Sequence, residues 1–408
     1  MSPAAHKNMG LRSTATRKVN HVKRDSQQYR LFILGAGFSR PAGLPLASEL
    51  WLEVVRRARR LRGRAEQFSD DLKTYVEYLR ACDGIAVEPE DIDFEQFLAF
   101  LDLEHHLKLR GSDTWSRDGN ETQVVVKTLI GQILAEATPA PNAIPQLYLD
   151  FAASLQPSDY VLTFNYDVLL ERALEAVRKP FRLFPSRLRN VTPMGAEVDT
   201  SHEEVVLLKL HGSIDWFDRT DYSERERDWP KDAKHSKPSH PIFADPDEFE
   251  AVPLVEGPRF PHDALREMYR VRRVRQLYQR GFLFHCAPWL LNPSSAKMLY
   301  AATVRDFWYG MGSAGLWNFG LAIIGFSLPI HDDYMRQVLY RIVTNYQQAN
   351  WGKRVLGRRK TPLVLIDARS SKAGKEELES RYSFVDWNKA VTSLKGFTQQ
   401  TLKLMFPT

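Results

Sequence analysis

Short, nearly unbroken apolar runs alternate with stretches of helical spacing along most of this chain. The runs are Leu31–Leu34, Tyr160–Thr163, Val205–Leu210, Leu321–Ile324 and Leu363–Ile366, the pattern of strands buried on both faces. Between them, apolar residues fall three and four apart. Leu50, Trp51, Val54, Val55, Ala58 and Leu61 form one such series, and Phe94, Phe97, Leu98 and Leu101 form another. The same spacing covers Gln123–Ala137, then Leu169, Leu170, Ala173, Leu174 and Val177, and later Met335, Val338, Leu339 and Ile342. It predicts amphipathic helices, with Asp93 and Gln96 opening the second as a capping box. Strands alternating with helices predict an α/β fold, a Rossmann-like, doubly wound and mostly parallel sheet. Residues 47–155 then read as a large α-helical insertion behind the first strand.

The remaining segments carry weaker patterns. Residues 1–29 are polar and basic and read as a disordered arm, either solvated or touching nucleic acid or a partner. The arginines from Arg56 to Arg64 lie opposite an apolar helix face, as a solvated stripe or a weak nucleic-acid surface. Residues 217–262 are charged and proline-bearing and predict a long excursion with little regular structure, of the kind used as a lid or binding segment. Helical pattern returns over Ala264–Gln279, short apolar runs follow at Phe282–His285 and Trp289–Leu291, and a helix is expected over Ala296–Trp308. Residues 371–408 read as a C-terminal extension packed on the domain.

Composition narrows the classes. The 408 residues are 43% hydrophobic and 26% charged, which suits a globular protein with a large core. A net charge of +6 permits an acidic partner without demanding one. The two cysteines, Cys82 and Cys286, cannot build a disulfide framework or a four-thiolate zinc site, and they suit a reducing cytoplasm. No apolar run reaches the roughly 20 residues of a membrane span, and no hydrophobic signal core opens the chain. The expectation is a cytoplasmic protein with no metal.

Candidate chemistry sits where strands end. Leu31–Leu34 runs straight into Gly35-Ala36-Gly37-Phe38-Ser39, a turn whose missing Cβ atoms let backbone N–H groups approach a phosphate. Arg40 stands where a dinucleotide fingerprint of the usual dehydrogenase kind has its third glycine. The second strand delivers Phe164-Asn165-Tyr166-Asp167, where Asn165 or Asp167 either caps a helix or meets a ligand. The third delivers His211-Gly212-Ser213-Ile214-Asp215-Trp216, and the fourth Gly325-Phe326-Ser327-Leu328-Pro329. The last strand ends at Asp367.

GAGFS, TFNYD, LHGSIDW and GFSLP, in this order, resemble the sirtuin (silent-information-regulator) superfamily, and more closely the sirtuin-like NAD-hydrolase domains of bacterial antiphage defence systems. Those domains carry GAGxS, TxNYD, LHGS and GYSLP or GFSLP where deacylating sirtuins have GAGxS, TQNxD, HG and GTSL. The resemblance spans 31–370 in scattered blocks and implies an NAD-binding domain over 30–46 and 156–370. It implies that Gly35, Ala36, Gly37 and Ser39 hold the diphosphate, with Phe38 near the nicotinamide ribose. Asn165 and Asp167 would contact that ribose or orient a water, and His211 would be the general base. Gly325 and Ser327 would hold the adenosine end, with Asp367 near the adenine or its ribose. Deacylating sirtuins frame their peptide groove with a zinc module of two CxxC pairs, which this chain cannot build. The expected activity is NAD+ glycohydrolase, yielding nicotinamide and ADP-ribose, as the NAD-depleting effector of an abortive-infection system. The alternatives are an NAD-dependent deacylase or ADP-ribosyltransferase, or a regulatory subunit that binds NAD or ADP-ribose without turnover. Such an activity must be held off, which implies a homo-oligomer or a separately encoded partner such as a HerA-type translocase ATPase.

Overall fold

The five apolar runs become neighbouring strands of one sheet. The computed structural model describes residues 29–406 apart from 62–64, 111–118, 282–285, 292–300, 331 and 356. The basic arm, the Phe282–His285 run and the first part of the helix expected over Ala296–Trp308 lie outside the described residues. In chain order the strands are β1 (Arg30–Leu34), β2 (Tyr160–Thr163), β3 (Phe181–Arg182), β4 (Leu188–Thr192), β5 (Gly195–Val198) and β6 (Val205–Lys209). They continue with β7 (Trp216–Asp218), β8 (Ala251–Pro253), β9 (Met268–Val271), β10 (Gly320–Ile324), β11 (Leu363–Ile366) and β12 (Ala390–Ser393). The main sheet has seven strands in the order β12-β11-β10-β1-β2-β6-β3, and every pairing in it is parallel. All residues of β1, β6 and β11 are buried, so both sheet faces are covered, as a Rossmann-like α/β sheet requires.

The chain leaves β1 for β2 on one side and returns much later to β10 on the other. The order therefore reverses at β1, and the crevice beyond its carboxyl end is the topological switch point where open α/β sheets take ligands. Residues 47–155 hold the helices Ala47–Ala58, Ala65–Cys82, Phe94–Leu107, Glu121–Ala137 and Gln146–Ser154. The first three share an aromatic core: the Trp51 ring stacks on Phe94 at 6.0 Å and packs against Phe97 at 5.7 Å. Asp93 accepts from the N–H groups of Glu95 and Gln96 as a helix cap, but Gln96 turns its amide to the Asp93 side chain rather than to its backbone. Three arginines of the stripe are spent on acids, Arg56 and Arg57 on Glu53, Arg57 also on Glu136, and Arg59 on Glu90, while Arg62 and Arg64 lie outside the described residues.

Two stretches depart from the expectation. Residues 217–262 carry more order than expected at their ends, where β7, the helix Thr220–Arg227 and β8 lie in or overlap them and β7-β9-β8 form a small antiparallel sheet, while 228–250 and 254–262 hold no helix or strand, as expected. Ala264–Gln279 is not one helix but a short 3-10 turn, β9 and the helix Val274–Gln279. Leu265, Met268, Val271, Val274 and Leu277 recur every third residue and so imitate one helical face. The three-residue rhythm arises here from a turn, a strand whose two end residues are buried, and a helix in succession. Beyond residue 370, β12 adds an edge strand to the main sheet, and Phe406 stacks on Phe32 at 5.4 Å.

Candidate functional site

At the crevice, the turns after β1 and β10 interlock. Gly35 donates its N–H to the Ile324 carbonyl (3.0 Å) and Gly37 to that of Gly325 (2.9 Å). A Cβ on Gly35 would lie 2.5 Å from Phe326 Cα, and one on Gly37 2.7 Å from Gly325 Cα. Gly325 answers with a left-handed φ of 60° and equally close contact to Gly37. The glycines thus serve backbone-to-backbone packing, and the N–H groups of Gly35 and Gly37 are already engaged. That corrects the expectation that both donors wait for a phosphate; the face left open belongs to Ala36, exposed, and Gly37, half-buried. Phe38 is corrected more sharply. Its ring is buried against Phe397 (4.7 Å), Phe151 (5.2 Å) and Tyr148 (5.3 Å), leaving no face for a ribose.

Asn165 is placed by the end of β2 and tied to the glycine turn. Its Nδ2 donates to the Gly35 carbonyl and to Ser39 Oγ, both at 3.0 Å. With both amide protons used, Oδ1 accepts no hydrogen bond from the described residues and stands as a fixed acceptor. That orientation follows from the network of partners. Asp167 Oδ1 accepts from the Leu169 N–H at 3.0 Å, so it secures the start of the helix Leu169–Ala176. The Asp167 carbonyl accepts from Lys209 Nζ, a lysine fully buried in β6 and paired with Glu171 at 2.8 Å.

His211 emerges at the end of β6, almost wholly buried, with its ring centroid 5.0 Å from that of Phe164. Its Nε2 lies 3.6 Å from Asp332 Oδ2, an ion-pair distance longer than a hydrogen bond. Asp332 also caps the helix Asp333–Gln348 by accepting from the Met335 N–H (3.1 Å), so it is fixed independently of the histidine. Gly212 has φ 80°, and a Cβ there would meet the Trp289 carbonyl oxygen at 2.1 Å, so only glycine lets the 289–291 segment close beside His211. Phe164 packs on Phe326 at 4.5 Å and joins the loops after β2 and β10.

The GAGFS, TFNYD, LHGSIDW and GFSLP loops are thereby brought to one crevice. Asp367 ends β11 beside Gly325, whose N–H bonds the Ile366 carbonyl (2.8 Å), but its carboxylate is gripped by Arg369 through Nε (2.9 Å) and NH2 (3.1 Å). Ser327 is exposed, and its carbonyl accepts from Arg381 (3.3 Å). Leu328 holds φ 51° while fully buried, a costly conformation for a branched side chain, stored beside the crevice. Asp332, Lys209, Glu171 and Arg369 escape a sequence reading because no motif marks them. Only the HDD run after GFSLP offers a signal for Asp332. Among the described residues no three His, Cys, Asp or Glu side chains gather as a metal would need, and no helix is long and apolar enough to cross a membrane.

Residues 159–239, which hold the TFNYD and LHGSIDW loops, match the family described as SIR2-like domain. No curated protein matches the chain in sequence. Among solved structures, one of a Sir2 enzyme examined for mechanism and regulation is 13% identical, covering 92% of this chain and 91% of that one, with a TM-score of 0.32. A second, on sirtuin substrate affinity, is 11% identical, covers 93% and 94%, and has a TM-score of 0.34. A third, of Sir2Tm bound to a propionylated peptide, is 10% identical, covers 93% and 92%, and has a TM-score of 0.27. Residues 159–239 thus carry the likeness to a SIR2-like domain.

Proposed function

We propose that this chain, through its sirtuin-like domain, is an NAD+ glycohydrolase that releases nicotinamide and ADP-ribose. The observation that carries the reading is Asn165. Its amide donors are locked onto Gly35 and Ser39, and its free Oδ1 sits at the switch point in the same loop cluster as His211. In the proposed reaction the bond between ribose C1′ and the nicotinamide nitrogen breaks, and its electron pair leaves on neutral nicotinamide. Positive charge develops on the sugar, a water oxygen bonds to C1′, and His211 takes the water's proton. Asn165 Oδ1 accepts from that water or from a ribose hydroxyl, and Asp332 stabilises the imidazolium that results. General-base assistance of this kind contributes roughly 10²–10⁴-fold.

In this reading Ala36, Gly37 and Ser39 border the diphosphate, Gly325 and Ser327 the adenosine end, and Asp367 the adenine ribose on release from Arg369. Asp167 acts by holding the Asn165 loop. The chemistry is proposed to run without a metal. The effector role in antiphage defence, a homo-oligomer and a HerA-type partner are carried by the resemblance of the motifs. The experiment is incubation of purified protein with NAD+, with and without acyl-lysine peptide, and chromatographic identification of products. Nicotinamide and ADP-ribose without peptide support the reading. Strict dependence on peptide, with O-acyl-ADP-ribose formed, replaces it with the deacylase.

A further inference from the structure

An open cavity of about 570 Å³ lies away from the crevice, between the helix Leu169–Ala176, the edge strand β3 and the small sheet of β7, β8 and β9. Its volume is in the range that takes small-molecule ligands. Six cationic side chains and four carboxylates line it. Every carboxylate is already paired: Asp215 and Glu175 with Arg270, Glu256 with Arg187, and Glu250 with Arg273. Among the cations, Arg182 and Arg187 also share Glu204, and Lys179 is bound to the carbonyls of Ala153 and Leu155.

Two guanidinium groups are left over. The side chains of Arg172 and Arg272 meet no acceptor among the described residues, and Arg172 Nε is shut off from solvent with nothing to donate to. A buried donor without an acceptor costs roughly 1–3 kcal/mol and asks for an explanation. Two surplus guanidinium groups in one cavity match the two charges of a phosphate monoester, and guanidinium planes suit bidentate phosphate binding. Apolar walls from Leu183, Val252 and Leu254 leave room for the organic part of such a ligand.

We propose that this cavity is a second ligand site, taking a phosphorylated small molecule of mononucleotide size through Arg172 and Arg272. The site stands whether or not the crevice hydrolyses NAD+. Arg172 lies on the helix that Asp167 secures, and Asp215 lies in the loop that carries His211. An occupant therefore touches the back of both loops that present Asn165 and His211 to the crevice.

The test is calorimetric titration of the full chain with AMP, repeated with Arg172→Gln and Arg272→Gln. The expected result is saturable one-site binding, weakened at least about 10-fold in each variant. Arg272 is exposed, so Arg272→Gln should unfold at the wild-type temperature and keep the test decisive if Arg172→Gln folds poorly. Absence of saturable AMP binding overturns the proposal. So does an affinity unchanged in both variants, particularly with AMP displaced by NAD+, which would seat the anion in the crevice instead.

Discussion

Replacing Gly37 by alanine separates two reasons for a glycine at the crevice. If Gly37 served only close approach of a phosphate, Gly37→Ala would weaken ligand binding and leave the empty protein as stable as before. The structure predicts otherwise. The new Cβ would lie 2.7 Å from Gly325 Cα and 3.1 Å from its carbonyl oxygen, both backbone atoms that no side-chain rotation can move. Overpacking of this kind costs about 1–3 kcal/mol, and a rigid backbone neighbour puts Gly37→Ala near 2 or above. A change of one or two kcal/mol shifts the folded-to-unfolded ratio by a factor of roughly 5–30. Gly43→Ala is the control: its φ is 91°, but its Cβ would meet nothing within 4 Å, so it should cost only the left-handed penalty of about 1–2 kcal/mol. Urea unfolding of ligand-free protein, followed by tryptophan fluorescence, reads the difference. A Gly37→Ala midpoint equal to wild type would refute the packing argument and return Gly37 to a purely phosphate-facing role.

Three further outcomes are expected. His211→Ala should lower NAD+ cleavage roughly 10²–10⁴-fold with the fold intact; Asp332→Asn, which preserves the helix cap, should lose less and shift the pH profile of kcat, and wild-type turnover in His211→Ala would remove the base assignment. Lys209→Met leaves Glu171 buried and unpaired and should destabilise by about 3–5 kcal/mol, whereas Lys209→Met with Glu171→Leu should recover much of it in the same unfolding assay. His240 accepts from the N–H groups of Ile242 and Phe243, and burial, with Arg225 and Arg219 nearby, pushes its pKa down from 6.5 to about 4. The folded protein then holds this ring neutral while the unfolded chain protonates it, so its contribution is complete above pH 6.5 and lost as pH falls toward about 4. His240→Phe should flatten that part of the stability curve.

What could be read from the chain follows from how each signal is built. The five buried strands were legible because apolar runs covered on both faces need no partner in sequence to be recognised. β3 and β12 were not, for they are an edge pair of residues and an edge strand whose middle positions Val391 and Thr392 are exposed. The small sheet was hidden by its three-residue rhythm. At the crevice, glycines, Asn165 and His211 were marked by their place after strands, which topology converts into proximity. Phe38 was misplaced because a motif fixes its position along the turn but not the direction its ring takes, and the aromatic cluster of Tyr148, Phe151 and Phe397 claims it.

Lys209 and Asp332, which no motif marked, and Ser39, whose motif does not tell of its bond to Asn165, share one trait: each acts by holding another. Lys209 fixes the carbonyl of Asp167, Asp332 faces His211 from a helix start, and Ser39 Oγ accepts a hydrogen bond from the Asn165 amide. Each link reaches across strands or loops remote in sequence, which is why spacing along the chain carries no trace of it. The same links decide what the crevice can do. An asparagine free in solvent would share its amide among many orientations, and a bound water would inherit that disorder. Here two donors are committed to the glycine turn, so Oδ1 points one way before any ligand arrives. A group held in advance needs no reorganisation when charge develops on the substrate, and that is where electrostatic assistance gains most of its effect. Ser39→Ala should therefore lower kcat more than it raises KM for NAD+, because it loosens the aim of Asn165 without removing the amide. An equal loss in Asn165→Ala and Asn165→Ala with Ser39→Ala would show the two acting as one unit. Additive losses would mean that Ser39 works on the substrate directly and that the amide is aimed by Gly35 alone.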